Sequence, residues 1–373
     1  MASSSQPKIE GGSATDYLQR GIASAKQGDR GNALMYITKA IDLSPRNEVA
    51  YAVRGALRAD AFKDFAAALA DYTKAITLKP TYAEAYAGRG MTLFLLERYE
   101  EAAADYTRAI ESNRDYGTAY YNRSSVRYKM GDYTGAVDDL NFVIQLDGKY
   151  AAAYNNRGNA KFKLNDLEGA LKDYSQAILI DPKNASALNN RGHVKMTRKD
   201  YPGAISDFSR AIRVDDKLAA AFNNRGIARR FQPDYFGAVQ DHTKAISLDP
   251  KFAEAYFQRG LVKIKMNHLR EAVGDFTKAT EIDPGYAEAF YQRGIVRTKM
   301  QERTIAVQDY TRAIEADPNF GNAYYNRGIV LNNLGDTAGA CEDWQKAVNL
   351  GVEEASYLLK KYGSTSAPES TDS

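Results

Sequence analysis

An arginine followed by a small residue recurs ten times along this chain, mostly at intervals of 34 positions. The pairs are Arg20-Gly21, Arg54-Gly55, Arg89-Gly90, Arg123-Ser124, Arg157-Gly158, Arg191-Gly192, Arg225-Gly226, Arg259-Gly260, Arg293-Gly294 and Arg327-Gly328. A fixed period of this length is typical of a solenoid, in which each repeat buries its apolar face only against its neighbours. The period therefore predicts one long surface, and it favours a chain that holds other molecules.

Each period contains two helical patterns separated by a turn. In the repeat that starts at Ala253, apolar residues recur at three- and four-residue spacing up to Met266 and again from Arg270 to Ile282, which predicts two amphipathic helices. Pro284 closes this repeat because proline cannot continue a helix. Counted from the first residue of a repeat, arginine stands at position 7, a glycine in most repeats at position 8, and alanine in every repeat at position 20. Because a glycine inside a helix costs ~1 kcal/mol, we expect it to permit close approach of the second helix.

The full pattern has an aromatic residue at position 4 in most repeats, glycine at 8, alanine at 20, a ring usually at 24, alanine at 27 and often proline at 32. It resembles the tetratricopeptide repeat, a helix–turn–helix unit of about 34 residues. The resemblance covers residues 14–353 and implies an all-α, right-handed superhelical solenoid whose first helices line a concave groove. The ten repeats are expected at 14–47, 48–82, 83–116, 117–150, 151–184, 185–218, 219–252, 253–286, 287–320 and 321–353.

The two ends of the chain differ from the repeats. Apolar residues continue at helical spacing from Ala355 to Tyr362, which predicts a C-terminal capping helix over 354–363. Residues 1–13 and 364–373 are polar, and we expect them to be disordered tails.

Composition argues against several classes of function. The 50 basic and 47 acidic residues leave a net charge of +3, which is not the clustered basic surface that nucleic-acid binding requires. No apolar stretch approaches the ~18 residues of a membrane span, and the first residues contain no apolar signal segment. A cytoplasmic location is therefore expected if the start of the sequence is native, and the single Cys341 fits a reducing compartment.

Catalysis, metal binding and a cofactor are not indicated. His193, His242 and His268 lie in different repeats, with no spacing that would place two of them on one helix as metal ligands. The chain has no phosphate-binding glycine loop and no nucleophile elbow. We therefore expect a protein that is not an enzyme.

The arginine at position 7 has a matching acid. The common form of the repeat carries leucine at this position, so ten arginines are a departure from the family. Nine repeats have aspartate at position 23, which predicts an ion pair within or between repeats, with a ligand contact as the alternative. These aspartates are Asp71, Asp105, Asp139, Asp173, Asp207, Asp241, Asp275, Asp309 and Asp343.

Position 6 carries a carboxamide in seven successive repeats. The residues are Asn122, Asn156, Asn190, Asn224, Gln258, Gln292 and Asn326. A carboxamide offers both a donor and an acceptor, so such a row can hold the backbone of an extended peptide whatever its side chains. The row resembles the asparagine ladder in the repeat arm of O-GlcNAc transferase. The alternative is that these residues merely keep an exposed face hydrated.

Basic and aromatic residues flank the carboxamides. The ones we assign to the peptide-binding groove are Lys129, Lys163, Lys265, Lys299, Tyr121, Tyr291 and Tyr325. They favour a protein or peptide partner with acidic and aromatic residues. The first three repeats carry mainly small or apolar residues at the groove positions. This difference leaves open a self-assembling structural protein that uses its apolar N-terminal groove.

Overall fold

The computed structural model describes residues 12–363, which form twenty-one α-helices. They fall into two compact units divided between residues 182 and 183, called here the N-terminal unit and the C-terminal unit. The N-terminal unit contains α1 (Ala14–Lys26), α2 (Arg30–Leu43), α3 (Glu48–Ala61), α4 (Phe65–Leu78), α5 (Ala83–Leu95), α6 (Tyr99–Ser112), α7 (Gly117–Lys129), α8 (Tyr133–Leu146), α9 (Ala151–Lys163) and α10 (Leu167–Ile180). The C-terminal unit contains α11 (Ala185–Thr197), α12 (Tyr201–Val214), α13 (Ala219–Phe231), α14 (Tyr235–Leu248), α15 (Ala253–Lys265), α16 (Leu269–Ile282), α17 (Ala287–Lys299), α18 (Arg303–Ala316), α19 (Gly321–Asn333), α20 (Thr337–Asn349) and α21 (Glu354–Gly363).

Within each unit the helices pack as consecutive pairs. Each odd-numbered helix up to α19 packs on the even-numbered helix that follows it, and the even-numbered helix packs on the next odd-numbered one. Odd-numbered helices of neighbouring pairs also touch, as α3 touches α5 and α13 touches α15, whereas successive even-numbered helices within a unit make no comparable contact in the part of the chain described. The odd-numbered, or first, helices therefore form the inner face of each unit, called here the first-helix face. This packing confirms the predicted all-α class of tandem helix pairs.

Short-range chemistry explains the turn inside each pair. The turn has three residues, and in seven turns the last of them is an aspartate whose side chain caps the second helix. In one such cap, Asp234 accepts a hydrogen bond from the backbone N–H of Gly237 at 3.0 Å. The middle turn residue has a positive φ, as at Gly131 (81°) and Asn267 (61°), and glycine and asparagine tolerate that conformation best.

The glycine of the first helix meets the ring of the second. A Cβ on Gly260 would lie 2.7 Å from Cε1 of Phe276, and a Cβ on Gly294 would lie 2.8 Å from Cε1 of Tyr310. Both distances are well below the ~3.5 Å at which carbon atoms attract one another. Glycine therefore permits the close approach of the two helices, as the sequence predicts.

Replacing Gly260 by alanine is expected to destabilise the α15–α16 pair by about 1–3 kcal/mol, because the new methyl group overlaps the Phe276 ring. Gly274→Ala is the matched control, since a Cβ on this α16 residue would meet nothing within 4 Å. It should stabilise the same pair by ~1 kcal/mol through helix propensity. Amide hydrogen exchange in α15 and α16 measures both changes, and shifts of the same sign would contradict this explanation.

The last helix, α21, covers the end of the α19–α20 pair. Ala355 is fully buried, and Leu358, Leu359 and Tyr362 pack against the cluster around Trp344. The ring centroids of Trp344 and Tyr362 are 5.7 Å apart. Shielding the apolar end of a repeat array in this way is the role of a terminal cap.

The structure describes little of the tails that the sequence predicts at residues 1–13 and 364–373. Of residues 1–13 only Gly12 and Ser13 are described, and Ser13 caps α1 by accepting a hydrogen bond from the backbone N–H of Asp16. The whole of 364–373 lies beyond the described range. Among the helices within 12–363, none combines the length and the apolar character needed to cross a bilayer.

Candidate functional site

The predicted carboxamides all lie half-buried on first helices. Hydrogen bonds that link neighbouring first helices show that Asn156, Asn224 and Asn326 point along the first-helix face. These seven residues are called here the row of carboxamides. The N-terminal unit contains Asn122 and Asn156, and the C-terminal unit contains Asn190, Asn224, Gln258, Gln292 and Asn326.

In the N-terminal unit, tyrosine hydroxyls hold the carboxamides. Asn156 Nδ2 donates to the Tyr121 hydroxyl at 2.9 Å, and Asn156 Oδ1 accepts from Asn155 Nδ2 at 3.3 Å. The Asn122 side chain lies close enough to the Tyr106 hydroxyl to influence its pKa. Burial raises the pKa of Tyr106 and of Tyr121 above the ordinary tyrosine value, so both hydroxyls stay neutral at physiological pH.

In the C-terminal unit, Asn224 and Asn326 are held from the preceding first helix. Asn224 Nδ2 donates to Asn189 Oδ1 at 3.1 Å, and Asn326 Nδ2 donates to the Tyr291 hydroxyl at 2.9 Å. Each contact joins residues 35 positions apart, between position 5 of one pair and position 6 of the next. The side-chain orientation is therefore set by tertiary packing.

The two glutamines are held within their own helices. Gln258 Nε2 donates to Glu254 Oε1, and Gln292 Nε2 donates to Glu288 Oε1 at 2.8 Å. Glu254 also accepts a short hydrogen bond from the Tyr286 hydroxyl. Burial and this bond to Glu254 raise the pKa of Tyr286 above its ordinary value. Both glutamines are thus anchored through their nitrogen atoms.

Four carboxamides in the C-terminal unit have a side-chain oxygen that accepts no hydrogen bond from the described residues, and they are Asn224, Gln258, Gln292 and Asn326. Gln258 Oε1 is also covered by its surroundings, so this side chain must rotate before the oxygen can meet a ligand. Because polar atoms of this kind gain free energy when a donor reaches them, the row presents acceptors for N–H groups.

The four predicted lysines are exposed. Each is the last residue of a first helix, where its charge is favourable beside the C-terminal carbonyl groups. None forms an ion pair within the described part of the chain. The lysines are therefore free to meet an acidic group, and they are Lys129, Lys163, Lys265 and Lys299.

The three predicted tyrosines are half-buried and have different surroundings. The hydroxyls of Tyr121 and Tyr291 hold the carboxamides of the next pair. The backbone carbonyl of Tyr325 accepts a hydrogen bond from Trp344 Nε1 at 3.3 Å. Tyr121 and Tyr291 therefore position the row of carboxamides, a role that the sequence did not reveal.

The arginine at position 7 is bound to the protein itself. Arg225 Nε and Nη2 donate to the two oxygens of Asp241 at 2.9 and 2.7 Å, and Nη1 donates to Ser209 of the preceding pair at 3.1 Å. The guanidinium group also lies over the Phe222 ring, 5.7 Å from its centroid. The predicted ion pairs are therefore confirmed as structural. They are Arg54–Asp71, Arg89–Asp105, Arg123–Asp139, Arg157–Asp173, Arg191–Asp207, Arg225–Asp241, Arg259–Asp275, Arg293–Asp309 and Arg327–Asp343.

A second cation, which the sequence analysis missed, joins most of these pairs. Lys195 Nζ lies 2.8 Å from Oδ2 of Asp207, whose other oxygen is bound by Arg191. Burial raises the pKa of Asp207, but hydrogen bonds from the two cations outweigh it, so the pKa lies below the ordinary value. The available signal was a basic residue four positions after the arginine. It occurs at Arg58, Arg127, Lys161, Lys195, Arg229, Lys263 and Arg297.

Arg230 is a further residue that sequence reasoning missed. It lies half-buried on α13, and burial lowers the pKa of its guanidinium group. Its Nε is buried without a hydrogen-bond partner, and the group lies over the Phe231 ring, 4.9 Å from the centroid. Arg230 is thus a cation in the C-terminal unit that an acidic ligand group could satisfy.

His242 lies in the core of the α13–α14 pair. His242 occupies the ring position against Gly226, and its Nδ1 donates to Asn223 Oδ1 at 2.9 Å. Burial is the main cause that lowers its pKa to about 3, with the charges of Arg230 and Arg259 adding to it. His242 is therefore a neutral core residue. Within residues 12–363, no group of three or more histidine, cysteine, aspartate or glutamate side chains is arranged to hold a metal ion.

Comparison with known families identifies the class to which these helix pairs belong. Sequence models described as tetratricopeptide repeat match residues 83–116, 253–286, 287–320 and 309–342, and one described as TPR repeat matches 125–165 and 158–198. Together they cover more than half of the chain. The chain belongs to the tetratricopeptide repeat family, whose helix pairs stack on their neighbours as a solenoid.

Two solved structures with TM-scores above 0.5 share this fold. The APC/C hetero-tetramer Cut9-Hcn1 is similar with a TM-score of 0.54 and 15% identity, over 94% of this chain and 76% of that chain. Pseudomonas aeruginosa pilF is similar with a TM-score of 0.51 and 20% identity, over 58% of this chain and 97% of that chain. YrrB, described as a TPR protein with an unusual peptide-binding site, has a TM-score of 0.42 and 28% identity, over 50% of this chain and 96% of that chain. A comparison with curated proteins gives no match.

Proposed function

We propose that this protein is a non-catalytic scaffold that binds an extended peptide segment along the first-helix face, with the carboxamides as contacts to the peptide backbone. In the C-terminal unit the contacts are Asn190, Asn224, Gln258, Gln292 and Asn326. In the N-terminal unit they are Asn122 and Asn156.

The spacing of the carboxamides suits an extended chain. Packed helices lie about 8–10 Å apart, and neighbouring first helices carry one carboxamide each. An extended peptide advances by about 3.3 Å per residue, so one carboxamide serves about three residues. The five carboxamides of the C-terminal unit would therefore accompany about a dozen residues of the ligand.

One observation carries this proposal: in the C-terminal unit, four carboxamides are anchored through nitrogen while their side-chain oxygens accept no hydrogen bond within residues 12–363, and they are Asn224, Gln258, Gln292 and Asn326. Asn224 and Asn326 are pinned by residues of the preceding first helix, and Gln292 is pinned by Glu288. A pinned side chain loses little rotamer freedom on binding, which lowers the entropic cost of association. The oxygens can then accept hydrogen bonds from the backbone N–H groups of the peptide, which every residue except proline provides.

The charges on the face favour an acidic ligand. Lys265 and Lys299 are exposed at the ends of α15 and α17, and the guanidinium group of the half-buried Arg230 forms no ion pair within residues 12–363. An acidic side chain that reaches Arg230 would replace part of the hydration that burial removes from this group. We therefore expect acidic residues to be enriched among the ligands of the C-terminal unit.

Replacing Asn190, Asn224 and Asn326 by alanine is expected to weaken peptide binding about 100-fold, because three hydrogen bonds at ~1 kcal/mol each are lost. The ligand is obtained by selecting a random 15-residue peptide library displayed on phage against the full chain. The strongest binder is then synthesised, and its affinity is measured by fluorescence anisotropy.

The matched control removes three other carboxamides. Gln240, Gln308 and Gln345 are exposed on the second helices α14, α18 and α20, so Gln240→Ala/Gln308→Ala/Gln345→Ala should leave the affinity unchanged. Circular dichroism shows whether each variant is folded. Equal affinities of the two folded triple variants would refute a role for the row of carboxamides.

Exposed apolar residues on the first-helix face of the N-terminal unit favour a second candidate, a self-assembling structural protein. Met91 and Leu95 on α5 are 40% and 51% exposed. If this surface joins copies of the chain, Met91→Ser/Leu95→Ser should abolish the association. Sedimentation velocity over a range of protein concentrations measures it, and an unmodified chain that stays monomeric throughout would exclude this candidate.

A further inference from the structure

The N-terminal unit contains a cavity of about 190 Å³ on its first-helix face. It lies among α5, α7, α8 and α9, beside the carboxamide of Asn156. Its lining comprises Phe94, Ser124, Ser125, Tyr128, Lys129, Ala136, Leu140, Asn156 and Asn159.

An exchange of two residues in the repeat explains why the cavity lies here. In the next pair, the Tyr174 ring fills the space against Gly158, where a Cβ would lie 2.7 Å from the ring. The α7–α8 pair carries Leu140 in place of the ring and Ser124 in place of the glycine. Both residues are buried, at 1% and 2% exposure. Because leucine is smaller than tyrosine, the space that a ring fills elsewhere is left open toward the first-helix face.

The walls of the cavity are mainly apolar in character. The hydroxyls of Ser124 and Ser125 both donate to the backbone carbonyl of Tyr121, at 2.6 and 3.3 Å, so these donors are not offered to a ligand. Phe94 and Tyr128 contribute rings, which favour edge or offset contacts with another ring. A dry apolar cavity of about 150 Å³ is large enough for benzene. The cavity therefore has the size and the lining that suit a phenyl group.

We infer that this cavity receives a phenylalanine side chain of the bound peptide and so selects the register of the peptide on the N-terminal unit. The inference rests on the proposed function, because Asn156 at the cavity edge would hold the backbone beside the inserted side chain. The cavity would make binding depend on a phenylalanine in the peptide sequence, whereas contacts to the peptide backbone do not depend on its side chains. Burial of one phenyl ring corresponds to at least tenfold in affinity over alanine at the same place.

Two synthetic peptides test this inference. Both are acetylated nonapeptides of alternating serine and aspartate, one with a central phenylalanine and one with a central alanine. They are titrated calorimetrically against the full chain carrying Asn190→Ala, Asn224→Ala and Asn326→Ala, so that binding reports on the N-terminal unit. We expect the phenylalanine peptide to bind at least tenfold more tightly.

A variant that restores the usual ring and glycine closes the cavity. In the same background, Ser124→Gly/Leu140→Tyr copies the Gly158–Tyr174 pairing, and we expect both peptides then to bind with the lower affinity of the alanine peptide. Ser125→Met fills the cavity from α7 and provides a second route if the double variant does not fold. Two results would overturn the inference. One is equal affinity of the two peptides before the cavity is closed, and the other is a preference for phenylalanine that persists in a folded variant with a closed cavity.

Asn122→Ala, at the carboxamide of the N-terminal unit that does not line the cavity, separates this inference from the proposed function. If both hold, the substitution weakens the two peptides equally and leaves their affinity ratio unchanged. If the affinity falls but the ratio is one before and after, the proposed backbone contacts stand and the phenylalanine site is wrong. If the affinity is unaffected while closure of the cavity still removes a tenfold preference, the phenylalanine site stands and the backbone contacts are wrong.

Discussion

Replacing Asp241 by alanine is expected to destabilise the α13–α14 pair by about 3–5 kcal/mol, because two cations then remain without their buried acid. The carboxylate is 3% exposed, and it binds Arg225 through Oδ1 at 2.7 Å and Arg229 through Oδ2 at 2.9 Å. A repeat array need not unfold in one cooperative step. Amide hydrogen exchange of α13 and α14 is therefore the appropriate measurement, with chemical denaturation as a global readout.

Two control variants show whether burial and the second cation cause the loss. Glu101 pairs with Arg98 on an exposed surface, at 2.6 Å, so Glu101→Ala should leave the stability nearly unchanged. Asp343 is buried but pairs with a single cation, Arg327, because Leu331 stands where the second cation would be. Asp343→Ala should therefore cost less than Asp241→Ala and more than Glu101→Ala. If all three losses were equal, the structural role of the buried network would be wrong.

Acidification from pH 6.5 to near 4.5 is expected to lower the free energy of unfolding of the α13–α14 pair by about 2–3 kcal/mol through His242 alone. Burial lowers the pKa of this imidazole from 6.5 to about 3. Between these values the unfolded chain binds a proton that the folded chain does not, so stability falls as the pH falls. The slope is about 1.4 kcal/mol per pH unit, and the loss ends below the folded-state pKa.

A transplant from the neighbouring repeat isolates this effect from the titration of the carboxylates. Phe257 and Phe276 occupy the two equivalent positions in the α15–α16 pair, with ring centroids 5.7 Å apart. Asn223→Phe/His242→Phe should therefore fold, and its advantage over the unmodified chain should grow as the pH falls. Hydrogen exchange of α14 at several pH values measures the difference, and His268→Gln, at an exposed turn residue, is the control. Parallel stability profiles for all three proteins would show that His242 is not the acid-sensitive group.

These two predictions arise from features that the sequence reveals to different degrees. The Arg–Asp pairing was predictable because it recurs with the period of the repeat, and recurrence in nine pairs separates it from chance. The second cation recurs as well, but its contact with the same carboxylate depends on how the first helix lies against the second. His242 stands at position 24, where the repeat usually carries a ring, and complete burial of its side chain keeps it neutral.

The candidate site could be predicted only in outline. The seven carboxamides stand at one repeat position, and the helical period places them on first helices. Their partners could not be derived, because Asn224 meets Asn189 and Asn326 meets Tyr291 across helices 35 residues apart in sequence. The cavity beside Asn156 was also missed, since the change to Leu140 creates space only after α7, α8 and α9 have packed.

The sequence by itself determined the helix pairs, their turns and the glycine–ring contacts, because each of these depends on interactions within one 34-residue period that is repeated along the chain. Only the tertiary structure decided which donors and acceptors are already engaged, which cations share a buried acid, and where a space remains open. These properties depend on distances of a few ångströms between neighbouring helices. Such distances are set by the combined packing of all their side chains rather than by the pattern of any one helix.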